Sequence, residues 1–129
     1  MTSSGETMMA GRRVLLAEDE FIVVCDMIGT FEACGAEVVG PASSVAEALS
    51  LVEATEDLDG AVLDINLQGE MVYPVADALK LRGVPFVFAT GYDRSVIRED
   101  YLDVPRCEKP VDMRLIVTAL FHELDRPEE

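Results

Sequence analysis

Short apolar runs alternate along this chain with longer stretches in which apolar residues recur every three or four positions. Arg13-Val14-Leu15-Leu16-Ala17 is a run that stops at Glu18-Asp19-Glu20, after which Phe21, Ile22, Val24, Cys25, Ile28 and Phe31 or Glu32 follow helical spacing. That helix should end at Cys34-Gly35, where glycine can take the left-handed conformation past a C-cap. Glu37-Val38-Val39-Gly40 predicts a second strand, Pro41 to Ser44 a turn, and Ser43 or Ser44 the cap of a helix with Val45, Ala48, Leu49, Leu51 and Val52 on its buried stripe. Gly60-Ala61-Val62-Leu63 runs without polar interruption into Asp64, as a buried parallel strand does, and Asn66 to Glu70 reads as a loop. Pro74 suits the first turn of a helix that turns Val75, Ala78, Leu79 and Leu81 inward and stops at Arg82-Gly83. Pro85-Phe86-Val87-Phe88-Ala89 predicts a fourth strand, with Phe86 and Phe88 on one core-facing side. Asp93 to Tyr101 is weakly patterned, and Val104-Pro105-Arg106-Cys107 makes a poor fifth strand at an edge. Lys109-Pro110 then precedes a helix carrying Val111, Leu115, Ile116, Ala119, Leu120 and Leu124.

Strands alternating with helices over short connections predict an α/β fold, a doubly wound five-stranded parallel sheet with helices on both faces. Right-handed crossovers favour the flavodoxin-like order 2-1-3-4-5. Residues 1–11 read as a flexible N-terminal arm, 12–124 as one domain and 125–129 as an acidic tail.

Composition narrows the function classes. Half of the residues are hydrophobic, which suits a compact domain. No apolar run approaches the roughly 20 residues of a membrane span. The polar start lacks the plan of a signal peptide, and three cysteines at unrelated spacings suit reduced thiols, so the expected location is the cytoplasm. A formal charge of −15 opposes phosphate backbones, which argues against nucleic acid as a partner and favours a divalent cation.

In the expected topology the carboxyl ends of the strands gather chemistry from separate places. Glu18 and Asp19 end the first strand, Asp64 the third, Thr90 the fourth and Lys109 the fifth. Crowded carboxylates repel unless a cation lies among them, and hard oxygen ligands favour Mg2+ or a similar ion such as Mn2+. Asp64 could then attack a phosphoryl group in line, with Lys109 and Thr90 serving its oxygens. Taken singly, each feature has a plainer reading. Glu18-Asp19-Glu20 would serve equally to start a helix and Asp64-Ile65-Asn66 to make a turn, while Thr90 alone is more often a strand residue and Lys109-Pro110 alone more often the turn before a helix. Their coincidence on one sheet edge favours the site.

On these residues the chain resembles the receiver domains of bacterial two-component response regulators over nearly its whole length. The resemblance implies that Asp64 accepts a phosphoryl group from a sensor histidine kinase or a phosphotransfer protein. It implies that Asp19 and Asp64 ligate magnesium, that Asn66 adds its backbone carbonyl, and that Glu18 acts directly or through water. It also implies a cis bond between Lys109 and Pro110. More narrowly, Pro85-Phe86-Val87-Phe88-Ala89-Thr90-Gly91-Tyr92 resembles the PFxFATGY signature of mostly single-domain alphaproteobacterial receivers, which are associated with kinases of the HWE type and with stress signalling. Arg106 stands where many receivers carry an aromatic switch residue, and Tyr92 is the candidate to report phosphorylation in its place.

The expected function is therefore that of a phosphoacceptor response regulator acting through protein-protein contacts, not an enzyme beyond its own phosphorylation and dephosphorylation. Two alternatives stand. A magnesium-dependent phosphohydrolase similar to the haloacid dehalogenases would also use an aspartyl nucleophile, although Asn66 stands where their second aspartate falls. An unphosphorylated receiver-like scaffold is the other. His122 reads as a helix-end residue, Cys25 and Cys34 as helix packing, and Cys107 as a strand residue.

Overall fold

The computed structural model describes residues 10–90, 97–108, 116 and 120. Their elements in chain order are β1 (Arg13–Ala17), α1 (Phe21–Ala33), β2 (Glu37–Ala42), α2 (Val45–Ala54), β3 (Gly60–Leu63), β4 (Asn66–Leu67), β5 (Glu70–Met71), α3 (Tyr73–Leu81), β6 (Phe86–Thr90), a 3-10 turn (Glu99–Tyr101) and β7 (Arg106–Glu108). The main sheet is parallel and runs β2-β1-β3-β6-β7, which is the expected 2-1-3-4-5 order once the short strands β4 and β5 are set aside.

Alternation along the strands builds two cores. Leu15, Ala17, Ala61, Leu63, Phe86 and Phe88 face α2 and α3. Val14, Leu16, Val62, Val87, Ala89 and Cys107 face the other way, against Met27 and Phe31 of α1 and the helical residues Ile116 and Leu120. Successive strand side chains point to opposite faces, so a sheet covered on both sides needs apolar residues at every position. β1 and β3 meet that demand, and from Val14 onward their residues are fully buried or nearly so.

Several local expectations change. The buried stripe of α1 is Val24, Met27 and Phe31, while Phe21 and Ile22 are 78% and 81% exposed and Cys25 is exposed. The helix begins beyond the end of β1, so its first turn clears the sheet. Leu81, expected inward, is 89% exposed: it follows Leu79 by two positions, about 200° around the helix. Ala78 is only partly buried against the core.

Pro41 does not end β2. The Gly40-Pro41 bond is cis, the β1/β2 pairing skips from Leu15↔Val39 to Ala17↔Ala42, and the strand resumes to Ala42. Gly40 has φ +110°, and a Cβ there would lie 2.9 Å from the Leu16 carbonyl oxygen. This bulge therefore needs glycine. Ser44 is the cap of α2: its hydroxyl accepts the Glu47 N–H at 3.1 Å, and Glu47 in return accepts the N–H and hydroxyl of Ser43.

Candidate functional site

The site is assembled at the carboxyl ends of β1 and β3. The ladder continues one residue past each strand, where Glu18 N–H donates to the Ala42 carbonyl at 2.9 Å and Asp64 N–H to the Ala17 carbonyl at 2.8 Å. The β2 bulge thus matters to the site, because it delivers the carbonyl that fixes Glu18. Both side chains are withdrawn from solvent, with Glu18 1% and Asp64 6% exposed. Oxygens of Glu18, Glu20 and Asp64 all lie within 4.8 Å of one another.

Glu20 is the residue that the strand-end reading missed. It occupies the N-cap position of α1, yet its side chain makes no capping bond. Its backbone N–H donates to Glu18 Oε2 at 3.2 Å, so the turn folds back and carries the Glu20 carboxylate toward the other two. An acidic run of three whose last member is the helix start was the available signal.

Asp19 makes a bond to a different element. It is exposed, and its Oδ2 accepts the Gln68 N–H at 2.9 Å. Gln68 and Gly69 form the tip of a hairpin, not the loop expected over Asn66 to Glu70: β4 and β5 pair antiparallel, and both tip residues have positive φ, +53° and +87°. Asn66 closes that tip through its Oδ1, which accepts the Gly69 N–H at 2.8 Å, while its own N–H lies 3.4 Å from Asp64 Oδ1. Asp19 and Asn66 therefore hold a small flap beside the Glu18/Glu20/Asp64 cluster.

Thr90 is the last residue of β6, aligned with Glu108 of β7. Lys109, the Lys109-Pro110 bond, Tyr92 and His122 lie outside the described residues, as do most of the N-terminal arm and the acidic tail. Arg106 pairs in register with Phe88, and its Nη1 is buried with no hydrogen-bond partner among the described residues.

Three acidic side chains this close, two of them buried, fit a small divalent cation. Carboxylate oxygens are the ligands such ions take, and the repulsion among them falls when the ion is present. Among the described residues the donor set offers neither thiolate nor imidazole, which sets it apart from structural zinc sites.

No protein-family model matches the sequence and none of the curated proteins does; the similarity lies with solved structures. SdrG from Sphingomonas melonis Fr1 is 37% identical, with 88% of this chain and 96% of SdrG covered and a TM-score of 0.77. The BeF3-activated conformation of SdrG from Pseudomonas melonis Fr1 matches at 36% identity, covering 89% of this chain and 98% of that one, TM-score 0.72. A response regulator receiver protein from Sinorhizobium medicae WSM419 matches at 26% identity over 91% of this chain and 97% of its own, TM-score 0.73.

This chain belongs to the response regulator receiver domains.

Its PFxFATGY stretch fits the alphaproteobacterial subgroup of receivers. The two phenylalanines of that stretch have a clear structural part: Phe86 and Phe88 pack edge-on to each other at 5.8 Å and both meet the Tyr101 ring. Among the described residues, no helix of this receiver is long and apolar enough to cross a membrane.

Proposed function

We propose that this receiver is a phosphorylation-controlled signalling module that accepts a phosphoryl group on Asp64. The observation that carries the reading is the packing of Asp64 against Glu18 and Glu20 at the rim between β1 and β3. A carboxylate oxygen of Asp64 attacks phosphorus, the bond to the donor's leaving group breaks, and an acyl phosphate results. Glu18, Glu20 and Asp64, together with Asp19 and the Asn66 backbone carbonyl that the family resemblance implies, would hold Mg2+ or Mn2+; the bound ion would offset charge on the phosphoryl oxygens. Burial of Asp64 keeps bulk water from the acceptor, and its backbone bond to Ala17 fixes where the carboxylate starts. Thr90, the last residue of β6, and Lys109, which follows β7 in the sequence, are the groups proposed to receive the remaining oxygens.

The donor class proposed is the phosphohistidine of a sensor histidine kinase, of which the HWE type is the candidate, or of a phosphotransfer protein. The output is a contact with another protein in the cytoplasm, with stress signalling the pathway class suggested by the PFxFATGY subgroup. The similarity to the BeF3-activated form of SdrG supports this reading, because beryllofluoride stands in for a phosphoryl group on a carboxylate.

The test uses acetyl phosphate with magnesium and intact-mass detection. One phosphoryl group per chain is expected, stable in acid and labile in base, and absent from Asp64→Asn. Rapid turnover of phosphate monoesters would replace this reading with a phosphohydrolase, and lack of any adduct with a scaffold.

A further inference from the structure

The hairpin of β4 and β5 has a fixed base and an exposed tip. Ile65, Leu67 and Val72 are fully buried, and the Val72 N–H donates to the Ile65 carbonyl at 2.8 Å. Gln68, Gly69, Glu70 and Met71 are exposed. Gln68 stands at φ +53°, a conformation that costs a residue with a Cβ more than it costs glycine. Two acceptors keep the tip in this shape: Asp19 Oδ2 takes the Gln68 N–H at 2.9 Å, and Asn66 Oδ1 takes the Gly69 N–H at 2.8 Å.

The Asp19 bond spans 49 positions of sequence and ties the tip to the acidic turn. Asp19 lies between Glu18 and Glu20, whose carboxylates meet that of Asp64 within 4.8 Å, yet Asp19 stands outside that group. An aspartate has a single methylene, so its two oxygens travel together. Turning one of them toward Glu18, Glu20 and Asp64 takes the other away from Gln68. The Asp19 side chain thus has two uses and serves them one at a time.

We propose that this hairpin is a latched flap under the control of the cation: Asp19 holds its tip through the Gln68 N–H and releases it on turning to join Glu18, Glu20 and Asp64 around a divalent ion. This inference deepens the reading of the acidic rim as the metal site of a phosphoacceptor and rests on that reading. Coupling of this kind is reciprocal, so a tighter tip lowers cation affinity and a looser one raises it. Without its bond to Asp19, Gln68 loses what holds it at positive φ, so tip and ligand change state together. Because the tip is exposed, its release carries the state of the metal site to the surface of the protein.

Two substitutions at the tip act in opposite directions and touch no proposed ligand. Gln68→Gly removes the Cβ that disfavours φ +53° and should tighten the latch. Gly69→Ala adds a Cβ at φ +87° that meets nothing within 4 Å, so it strains the backbone alone and should loosen the latch. Magnesium chloride is titrated into wild type and both variants, with affinity read by calorimetry and the fold and tip amides by NMR. Gln68→Gly should bind magnesium about 3- to 10-fold more weakly than wild type and Gly69→Ala about 3- to 10-fold more tightly, the size expected from easing or straining one left-handed residue. In wild type, hydrogen exchange at the Gln68 amide should quicken as magnesium saturates, while the Gly69 amide keeps its protection. Affinities that are equal in the three proteins or that move the same way in both variants, or a Gln68 amide still protected at saturating magnesium, overturn the latch and leave the acceptor reading standing. If wild type binds no magnesium, the latch falls with the metal site, and labelling of Asp64 by acetyl phosphate decides the acceptor reading separately.

Discussion

Two groups of acidic residues on this receiver are built on opposite electrostatic plans. At the rim between β1 and β3, Glu18, Glu20 and Asp64 bring like charges within 4.8 Å, two of them almost fully buried. On α3, Asp77 shares the Arg98 guanidinium with Asp100, and all three side chains are substantially exposed. Like charges gathered away from water make a site that a cation stabilises, whereas a cluster that carries its own cation is complete as it stands. Arg98 is held protonated well above its ordinary range by its bonds to Asp100, and Asp100 is kept ionised below its own by the same bond. Chemistry is expected at the first cluster and mechanical fastening at the second.

The sharpest way to break this contrast is at Tyr101, which is 1% exposed and belongs to the fastening. Tyr101→Ala should cost about 3–5 kcal/mol, the range for emptying a buried aromatic site, measured by urea denaturation. Burial and the Asp77 hydrogen bond push the Tyr101 hydroxyl up to about 12, so it stays a donor throughout the accessible pH range. A loss below 1 kcal/mol would show that the fastening contributes little.

A smaller effect is expected from magnesium. At a free concentration ten times its dissociation constant, the ion should stabilise wild type by ~1.4 kcal/mol, several degrees in Tm for a domain of this size. Glu20→Gln should reduce that rise, because the side chain shares the cluster. Equal responses in wild type and Glu20→Gln by scanning calorimetry would remove Glu20 from the proposed ligand set. Replacing magnesium with sodium at matched ionic strength separates site binding from general screening.

The smallest effect concerns a carboxylate whose bonding partner is neutral. Glu47 is held below the usual carboxylate range, first by the Ser43 backbone N–H and then by its hydroxyl. A depressed folded value means that the contribution is fully present above the unfolded value and is lost as pH falls through the lower folded one. Glu47→Gln should therefore lower stability slightly near neutrality, flatten the acid limb of the stability-pH curve, and leave stability at the lowest pH nearly unchanged. An unchanged acid limb would show that the Ser43 bonds add no net stability.

Layers, strand order and the edge at which the acidic groups meet were all legible in the residue pattern. The reason is local: uninterrupted apolar runs have to be strands covered on both faces, and short connections between them allow few topologies. Asp64 was legible because it ends such a run. The extent of β2 was not, since Pro41 is a turn signal that the Gly40 bulge converts into continued pairing. The hairpin at Asn66–Met71 was hidden as well, because Gln68-Gly69 becomes a tight tip only when Asp19 and Asn66 accept its N–H groups.

Long-range packing alone sets Glu20 beside Glu18 and Asp64 and gives Asp19 its bond to the hairpin tip. It also decided that the weakly patterned stretch up to Tyr101 is anchored at Arg98 and Tyr101. Periodicity reports which residues seek the core, but partners tens of positions apart are chosen by the geometry that brings them together. Asp19 meets Gln68, and Arg98 meets Tyr73, only after the sheet has formed.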